Sequence, residues 1–308
     1  MKNYDKNSLT GFVLMFLILL IFNFYFLPTN EEIIEQKEEI KIENNISKPK
    51  SINTDKIELT SDEKEKKYGV FSNSAESEFN EYVIENDKIK VVVSNKGGRI
   101  NSVTIKEGPN KKQYKTYDGN ELEIFNSDSS LFNLNFSTGI SINTKDLFFN
   151  PTQISKDEIT MRLEVDSSHF IDFNYKLKED YLVDFDINLI GMNEVIPNEL
   201  NFMNLQWQMK TPQTEKSREN QDMYTGIYYQ YFADKDDIDY LGYTNSNDIE
   251  KISNKLSWIA FQQQFFSSIL IAENGIKNTN LTSIKEENSD YVKNLSAEFE
   301  IDYNHNDY

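Results

Sequence analysis

Residues 171–190 read IDFNYKLKEDYLVDFDINLI. Ile171, Phe173, Tyr175 and Leu177 alternate with polar residues, Lys178-Glu179-Asp180 turns the chain, and Tyr181, Val183, Phe185, Ile187 and Leu189 alternate again. Side chains of a strand point to opposite faces with period 2, so this stretch predicts a long antiparallel hairpin with one buried face.

The same period extends outward in both directions. Lys88–Val93 and Ile100–Ile105 form two β-rich runs, joined by Ser94-Asn95-Lys96-Gly97-Gly98-Arg99, whose glycines can take the positive φ of a hairpin connection. Further strand candidates are Glu121–Phe125, Phe132–Phe136, Ile159–Val165, Leu205–Met209, Gly226–Phe232, Trp258–Phe261, Phe265–Ala272 and Ala297–Tyr303. Past residue 80 no stretch has the apolar spacing of a long amphipathic helix, and no fixed-period repeat is present. Many short strands in a single run predict a mainly β fold, a large antiparallel β-sandwich.

Upstream of residue 80 the chain changes character twice. Leu9–Leu27, LTGFVLMFLILLIFNFYFL, is strongly apolar, and 19 residues at helical rise span about 28 Å, the thickness of a bilayer core. Lys2 and Lys6 precede it and Glu31, Glu32, Glu35, Glu38 and Glu39 follow it, which orients the N-terminus to the cytoplasm and the rest across the membrane. A cleaved signal peptide is the rival reading. The run exceeds the usual h-region, and bulky Asn23-Phe24-Tyr25-Phe26-Leu27 stands where a signal peptidase needs small side chains, so a retained anchor is preferred. Residues 29–80 are dense in Glu, Lys, Asn and Ser, and read as a disordered acidic tether. The expected organisation is a cytoplasmic N-terminus (1–8), a transmembrane anchor (9–28), the tether (29–80) and a β domain (81–308).

Composition narrows the chemistry. A net charge of −19 repels phosphate backbones and anionic lipid surfaces, which argues against nucleic acid as a partner. The chain has no cysteine, which excludes disulfides, thiolate catalysis and Cys-based metal sites. His169 and His305 lack partners at ligand spacing and read as exposed loop residues. Gly97-Gly98 beside Arg99 lacks the spacing of a phosphate loop and reads as a turn. Asp234-Lys235-Asp236-Asp237-Ile238-Asp239 lacks the central Gly and closing Glu of a calcium loop and reads as a solvated loop. Tyr224, Tyr228, Tyr229, Tyr231 and Phe232 could line a groove for sugar or peptide, but alternation on a strand places part of such a cluster in the core, and core is the preferred reading. No catalytic, cofactor-binding or metal residue is assigned, so the chain is not expected to be an enzyme.

Three segments resemble a known family. Tyr82-Val83-Ile84-Glu85-Asn86-Asp87-Lys88-Ile89-Lys90-Val91, then Ser94-Asn95-Lys96-Gly97-Gly98-Arg99-Ile100, is similar to the opening strands of the first periplasmic domain of YidC membrane protein insertases. Trp258-Ile259-Ala260-Phe261-Gln262-Gln263-Gln264-Phe265-Phe266 resembles a later segment of that domain, and Tyr68–Ser74 a stretch just before it. The resemblance covers essentially the whole chain, and its two main motifs occur in the expected order. It implies a β-supersandwich like that of sugar-binding and mutarotase proteins. It also implies an inner-membrane location with the β domain in the periplasm, and the Sec translocon and nascent membrane proteins as partners. In that family, insertion is performed by a later bundle of transmembrane helices with a functional arginine. The chain reaches Tyr308 without a second apolar run, so the bundle is expected to lie outside it, and none of Arg99, Arg162 and Arg218 stands in for that arginine. The alternatives are a membrane-tethered carbohydrate-binding or mutarotase-like module, and a tethered adaptor for a partner protein.

Overall fold

The computed structural model describes residues 59–107, 112–243 and 247–303. Leu9–Leu27, the tether up to residue 58 and His305 lie outside the described residues. Among the described residues no helix is long and apolar enough to cross a membrane.

The domain begins earlier than the sequence suggests. Residues 59–80 read as tether, yet they hold the helix α1 (Ser61–Tyr68) and a 3₁₀ turn over Gly69–Ser74. Thr60 caps α1 through a reciprocal box: its hydroxyl accepts from the Glu63 amide, and the Glu63 carboxylate accepts from the Thr60 amide. Lys66 and Lys67 in the last turn complement the helix dipole. The segment is polar on average, but its few apolar side chains are placed to pack. Tyr68, Phe71 and Ala75 are buried, and Phe71 meets Phe136 edge-on at 6.0 Å. Average composition hid an anchoring turn that depends on three residues.

Beyond it the described residues are mainly antiparallel strands, in three sheets. The first contains β1 (Glu81–Glu85), β2 (Ile89–Ser94), β3 (Ile100–Ile105) and β4 (Leu122–Phe125), in that order. Asn86 turns β1 into β2, its Oδ1 accepting from the amides of Lys88 and Ile89. Next along the chain come β5 (Ser130–Ser137) and β6 (Ser141–Asn143). They are followed by β7 (Asn150–Ile154), β8 (Glu158–Asp166), β9 (His169–Leu177) and β10 (Val183–Ile190), which make the second sheet in the order β10-β9-β8-β7.

The hairpin expected over residues 171–190 is β9–β10. Ile171 pairs with Leu189, Phe173 with Ile187, Tyr175 with Phe185 and Leu177 with Val183, so the apolar members share one face. Phe185 stacks on Tyr175 at 4.8 Å and meets Phe173 edge-on at 5.5 Å. Asp180 takes the turn with φ +58°.

The third sheet has nine strands. It adds β11 (Phe202–Pro212), β12 (Gly226–Tyr231), β13 (Ile238–Leu241), β14 (Asn247–Ile252), β15 (Leu256–Gln263), β16 (Phe266–Lys285) and β17 (Tyr291–Asp302). The order is β13-β12-β15-β16-β17-β11-β5-β6, with β14 paired to the far half of β16. A short helix, α2 (Arg218–Met223), precedes β12. The edge strands β6, β7, β13 and β14 were not among the sequence candidates. They are short or polar and carry too little alternation to register.

Two apolar cores result. One joins the first and second sheets through Ile84, Val91, Val93, Met161, Phe173 and Tyr175, with Phe71 and Phe136 contributing. The other lies along the nine-stranded sheet, where Leu122 and Ile124 of β4 meet Tyr229, Phe261, Leu281 and Leu295. The first sheet therefore contributes to both cores. Arg162 on β8 adds a bidentate pair to Asp172 at 2.8 and 2.7 Å while lying over the Phe170 ring.

Candidate functional site

The nine-stranded sheet buries Leu205, Leu295, Ala297 and Phe299 of β11 and β17, and alternation sends their neighbours the other way. Cross-strand register aligns those neighbours in rows. Asn135, Asn204 and Glu300 form one; Asn133, Gln206, Glu298 and Asn280 form the next. They line a groove of about 510 Å³ that also takes in Asn143, Lys251 and Asn278.

The groove is held by side-chain hydrogen bonds. Gln206 Nε2 donates to Glu298 Oε1 at 2.9 Å, and Asn278 Nδ2 to Glu300 Oε2 at 2.6 Å. Asn133 Nδ2 donates to Asn143 Oδ1 at 2.9 Å, and Asn135 Nδ2 to Ser141 Oγ at 2.9 Å. Asn278 has φ +47°, at the register shift between Lys277 and Asn280, and asparagine tolerates that left-handed conformation. Carboxamides and carboxylates so arranged offer donors and acceptors to a polar, hydroxyl- or amide-rich ligand. The groove's lining also includes the Ser253 hydroxyl and the Lys251 ammonium, which extend this hydrogen-bonding surface. Sequence reading missed these residues because it followed the apolar members of each alternation; the signal was the polar members, Asn133/Asn135, Asn204/Gln206 and Glu298/Glu300.

The aromatic cluster divides between two faces. Tyr229 is buried and its hydroxyl donates to Glu250 Oε1 at 3.0 Å; Tyr231 packs against the same core. Tyr228 points the other way and meets Tyr243 edge-on at 5.8 Å; Tyr240 and Tyr224 lie 5.5 and 6.2 Å from the same ring. Burial, then the Tyr228 hydroxyl, pushes the Tyr243 phenol up to about 12. The preferred core reading holds for Tyr229 and Tyr231, whereas Tyr224 and Phe232 are exposed.

The other sequence candidates fall apart in space. Gly97 and Gly98 form the hairpin turn with φ +80° and +62°. Arg99 leaves that turn to donate to Ser130 Oγ at 2.8 Å and the Ser127 carbonyl at 3.3 Å, and its pKa is lowered by burial. Its role is to tie the turn to β5. In the acidic run, Asp234 Oδ1 accepts from the Asp236 amide at 3.0 Å and Ile238 onward is strand, so the loop reading needs correcting at its end. Among the described residues no group of His, Asp or Glu is arranged to hold a metal ion.

His169 departs from expectation: it is not an isolated loop residue. It opens β9 with Nδ1 2.8 Å from Asp166 and Nε2 3.2 Å from Glu194. Asp166 stands three residues before it across the β8–β9 turn, whereas Glu194 was invisible to spacing and is brought up by the turn at Gly191 (φ +66°), where an added Cβ would meet His169 Cδ2 at 2.9 Å. The Asp166 hydrogen bond, then that of Glu194, raises the His169 pKa above the ordinary imidazole value. A raised folded-state pKa means that this charge pairing contributes fully below about pH 6.5 and is lost as pH climbs through the higher folded value. The imidazole midpoint, followed by NMR, is expected above that of a free histidine and to fall toward it in Asp166→Asn. An unshifted wild-type midpoint would contradict the pairing.

Comparison with known proteins places this architecture. Residues 81–306 match the family described as the YidC periplasmic domain. A membrane protein insertase YidC of Bacteroides fragilis strain YCH46 is 32% identical over 96% of this chain and 47% of its own length. That of Azobacteroides pseudotrichonymphae is 32% identical over 97% of this chain, again 47% of its own. The chain thus spans about half the length of these relatives. Among solved structures, a galactose mutarotase-like protein from Lactobacillus casei aligns with 72% of this chain and 87% of its own, at 11% identity and a TM-score of 0.44. The family match covers every strand from β1 to β17, and on that ground the chain belongs to the YidC periplasmic domain family.

Proposed function

We propose that the chain is the N-terminal portion of an insertase that helps inner-membrane proteins insert, fold and assemble, alone or with the Sec translocon. Leu9–Leu27 anchors it with the N-terminus in the cytoplasm, and the β domain stands in the periplasm with the supersandwich layering of its family. The observation carrying this reading is the family match across the whole β domain, joined to an apolar run with basic residues before it and acidic residues after it. In this reading the domain docks and positions, and the insertion chemistry belongs to a transmembrane bundle that lowers the cost of carrying polar flanks through hydrocarbon. No residue of this chain is assigned a catalytic role. Alkaline phosphatase fused after Tyr308 is expected to be active in intact cells, and crosslinking in membranes to recover translocon subunits. An inactive fusion would overturn the topology, and crosslinks to unrelated proteins alone would overturn the partnership.

A second reading is favoured by the carboxamide-lined groove: a membrane-tethered saccharide-binding module. Neutral oligosaccharides should then raise the melting temperature of the chain, and Gln206→Ala with Asn278→Ala should abolish the shift. A flat response across a broad panel removes this reading.

A further inference from the structure

One face of the strands β13, β12, β15 and β16 packs on the core; the opposite face is mainly apolar, with Tyr243 lying against Tyr228, Tyr240 and Gln262 while the isoleucines of β13 and β16 stay exposed. Register aligns Tyr240, Tyr228, Ala260 and Ile269 in one row across the four strands. The next row is Ile238, Gln230, Trp258 and Ile271. Tyr240 is 58% exposed, Ile238 51%, Ile269 56% and Ile271 66%. None of the eight positions carries a charge, in a chain of net charge −19. The face is also polarised along the strands. Asp234, Asp236 and Asp237 gather in the β12–β13 connection beside the Ile238 row, whereas the β15–β16 hairpin tip at the other end presents exposed Phe265.

We propose that this face rests on the uncharged headgroup surface of a lipid bilayer, with the β15–β16 tip entering first. The proposal rests on the reading of Leu9–Leu27 as a membrane anchor. Three observations choose the occupant. Tyrosine and tryptophan with flanking isoleucine are the side chains that settle at the membrane interface, the apolar body in the acyl boundary and the hydroxyl or indole N–H among headgroups. Leu27 and Leu59 are separated by about 30 residues, whose root-mean-square span as a free coil is about 30 Å, so a weakly adhesive face meets the bilayer at high effective concentration. A second copy of the chain is disfavoured by like charge, as is an anionic membrane. The acidic β12–β13 turn then points away from the lipid, which sets the tilt of the domain.

The chain has no cysteine, so one introduced thiol reports one position. Ser267→Cys lies on this face, opposite Gln262, and Ile154→Cys on the exposed side of β7. Each full-length variant, labelled with an environment-sensitive fluorophore, is reconstituted into phosphatidylcholine vesicles with brominated acyl chains. The probe at 267 is expected to lose about half its emission, as a group seated at the acyl boundary should, and the probe at 154 none. Adding Ile269→Asp and Ile271→Asp, both exposed and so tolerated by the fold, should restore the signal at 267. Flotation with the vesicles and no quenching at 267 overturns the proposal while leaving the anchor intact. Shielding of 267 from aqueous iodide without lipid quenching also overturns it, in favour of a protein partner. Failure to float overturns the anchor and this inference together.

Discussion

Replacing Lys293 with methionine is expected to destabilise the domain by about 3–5 kcal/mol, the range for removing one partner from a buried charged network. Lys293 sits on β17 and is only 1% exposed. Its ammonium donates to the carbonyls of Asp222 at 2.9 Å, Thr225 at 2.8 Å and Gly242, with the Asp222 carboxylate 3.3 Å away. Burial pulls the lysine pKa down, and Asp222 opposes that pull. Methionine matches the length and volume of the stem, so cavity formation contributes little. What remains is three carbonyls facing an apolar thioether, each costing about 1–3 kcal/mol when left without a donor. Asp222 keeps one cation, Lys285 at 2.6 Å, which limits the loss. The damage should be regional, because these carbonyls belong to the end of α2, the start of β12 and the end of β13. Urea unfolding gives the total, and faster amide exchange over β12 and β13 than over β9 gives the location. Lys285→Met, whose side chain is 41% exposed, should cost less than about 1 kcal/mol. Equal effects from the two substitutions would refute the assignment.

The sequence made the interior strands legible because burial on one face leaves a period-2 trace. Phe173, Tyr175 and Phe185 are where alternation puts them, and the paired glycines turn β2 into β3. Legibility failed where structure depends on contacts far apart in the chain. Phe71 reads as one aromatic in a charged stretch until it meets Phe136. His169 has no partner within ligand spacing on its own strand, but Glu194 arrives from beyond β10. Lys293 looks like an ordinary surface lysine, with alternation of little help because Val292 beside it is buried as well. The groove was hidden differently: each of its polar residues is the expected outward member of an alternation, and only the register across β5, β11, β17 and β16 collects them into one surface. Membership of the family was carried by short motifs whose residues prove structural. Asn86 makes a turn, Gly98 lets two sheets approach, and Arg99 ties that turn to the next strand.

Gly98→Ala carries the second large effect, about 3–4 kcal/mol. Two costs combine at this residue. Its φ of +62° lies in the left-handed region, where a side chain costs about 1–2 kcal/mol. A Cβ built there would stand 2.6 Å from Cδ1 and 2.7 Å from Cγ of Phe149, a fully buried ring that itself packs 4.9 Å from Phe173. The ring has no free volume to retreat into, and overpacking of that kind costs about 1–3 kcal/mol. Relief by shifting the turn instead is closed off, since the Gly98 carbonyl accepts from the Tyr175 hydroxyl at 2.8 Å, and Tyr175 is too buried to find water as a substitute. Neighbouring glycines separate the two costs. Gly97 has φ +80° with its closest contact, Lys145 Cα, at 3.3 Å, and Gly119 has φ +88° with open space around it. Alanine at 119 should therefore cost only the backbone term, alanine at 97 slightly more, and alanine at 98 the sum. Thermal or urea denaturation of the three variants gives that ordering directly. If Gly98→Ala matched Gly119→Ala, the Phe149 ring would be free to move, and the close approach between the first and second sheets would not depend on this glycine. Combining Gly98→Ala with Phe149→Leu should recover part of the loss, because the smaller side chain vacates the space the new methyl needs.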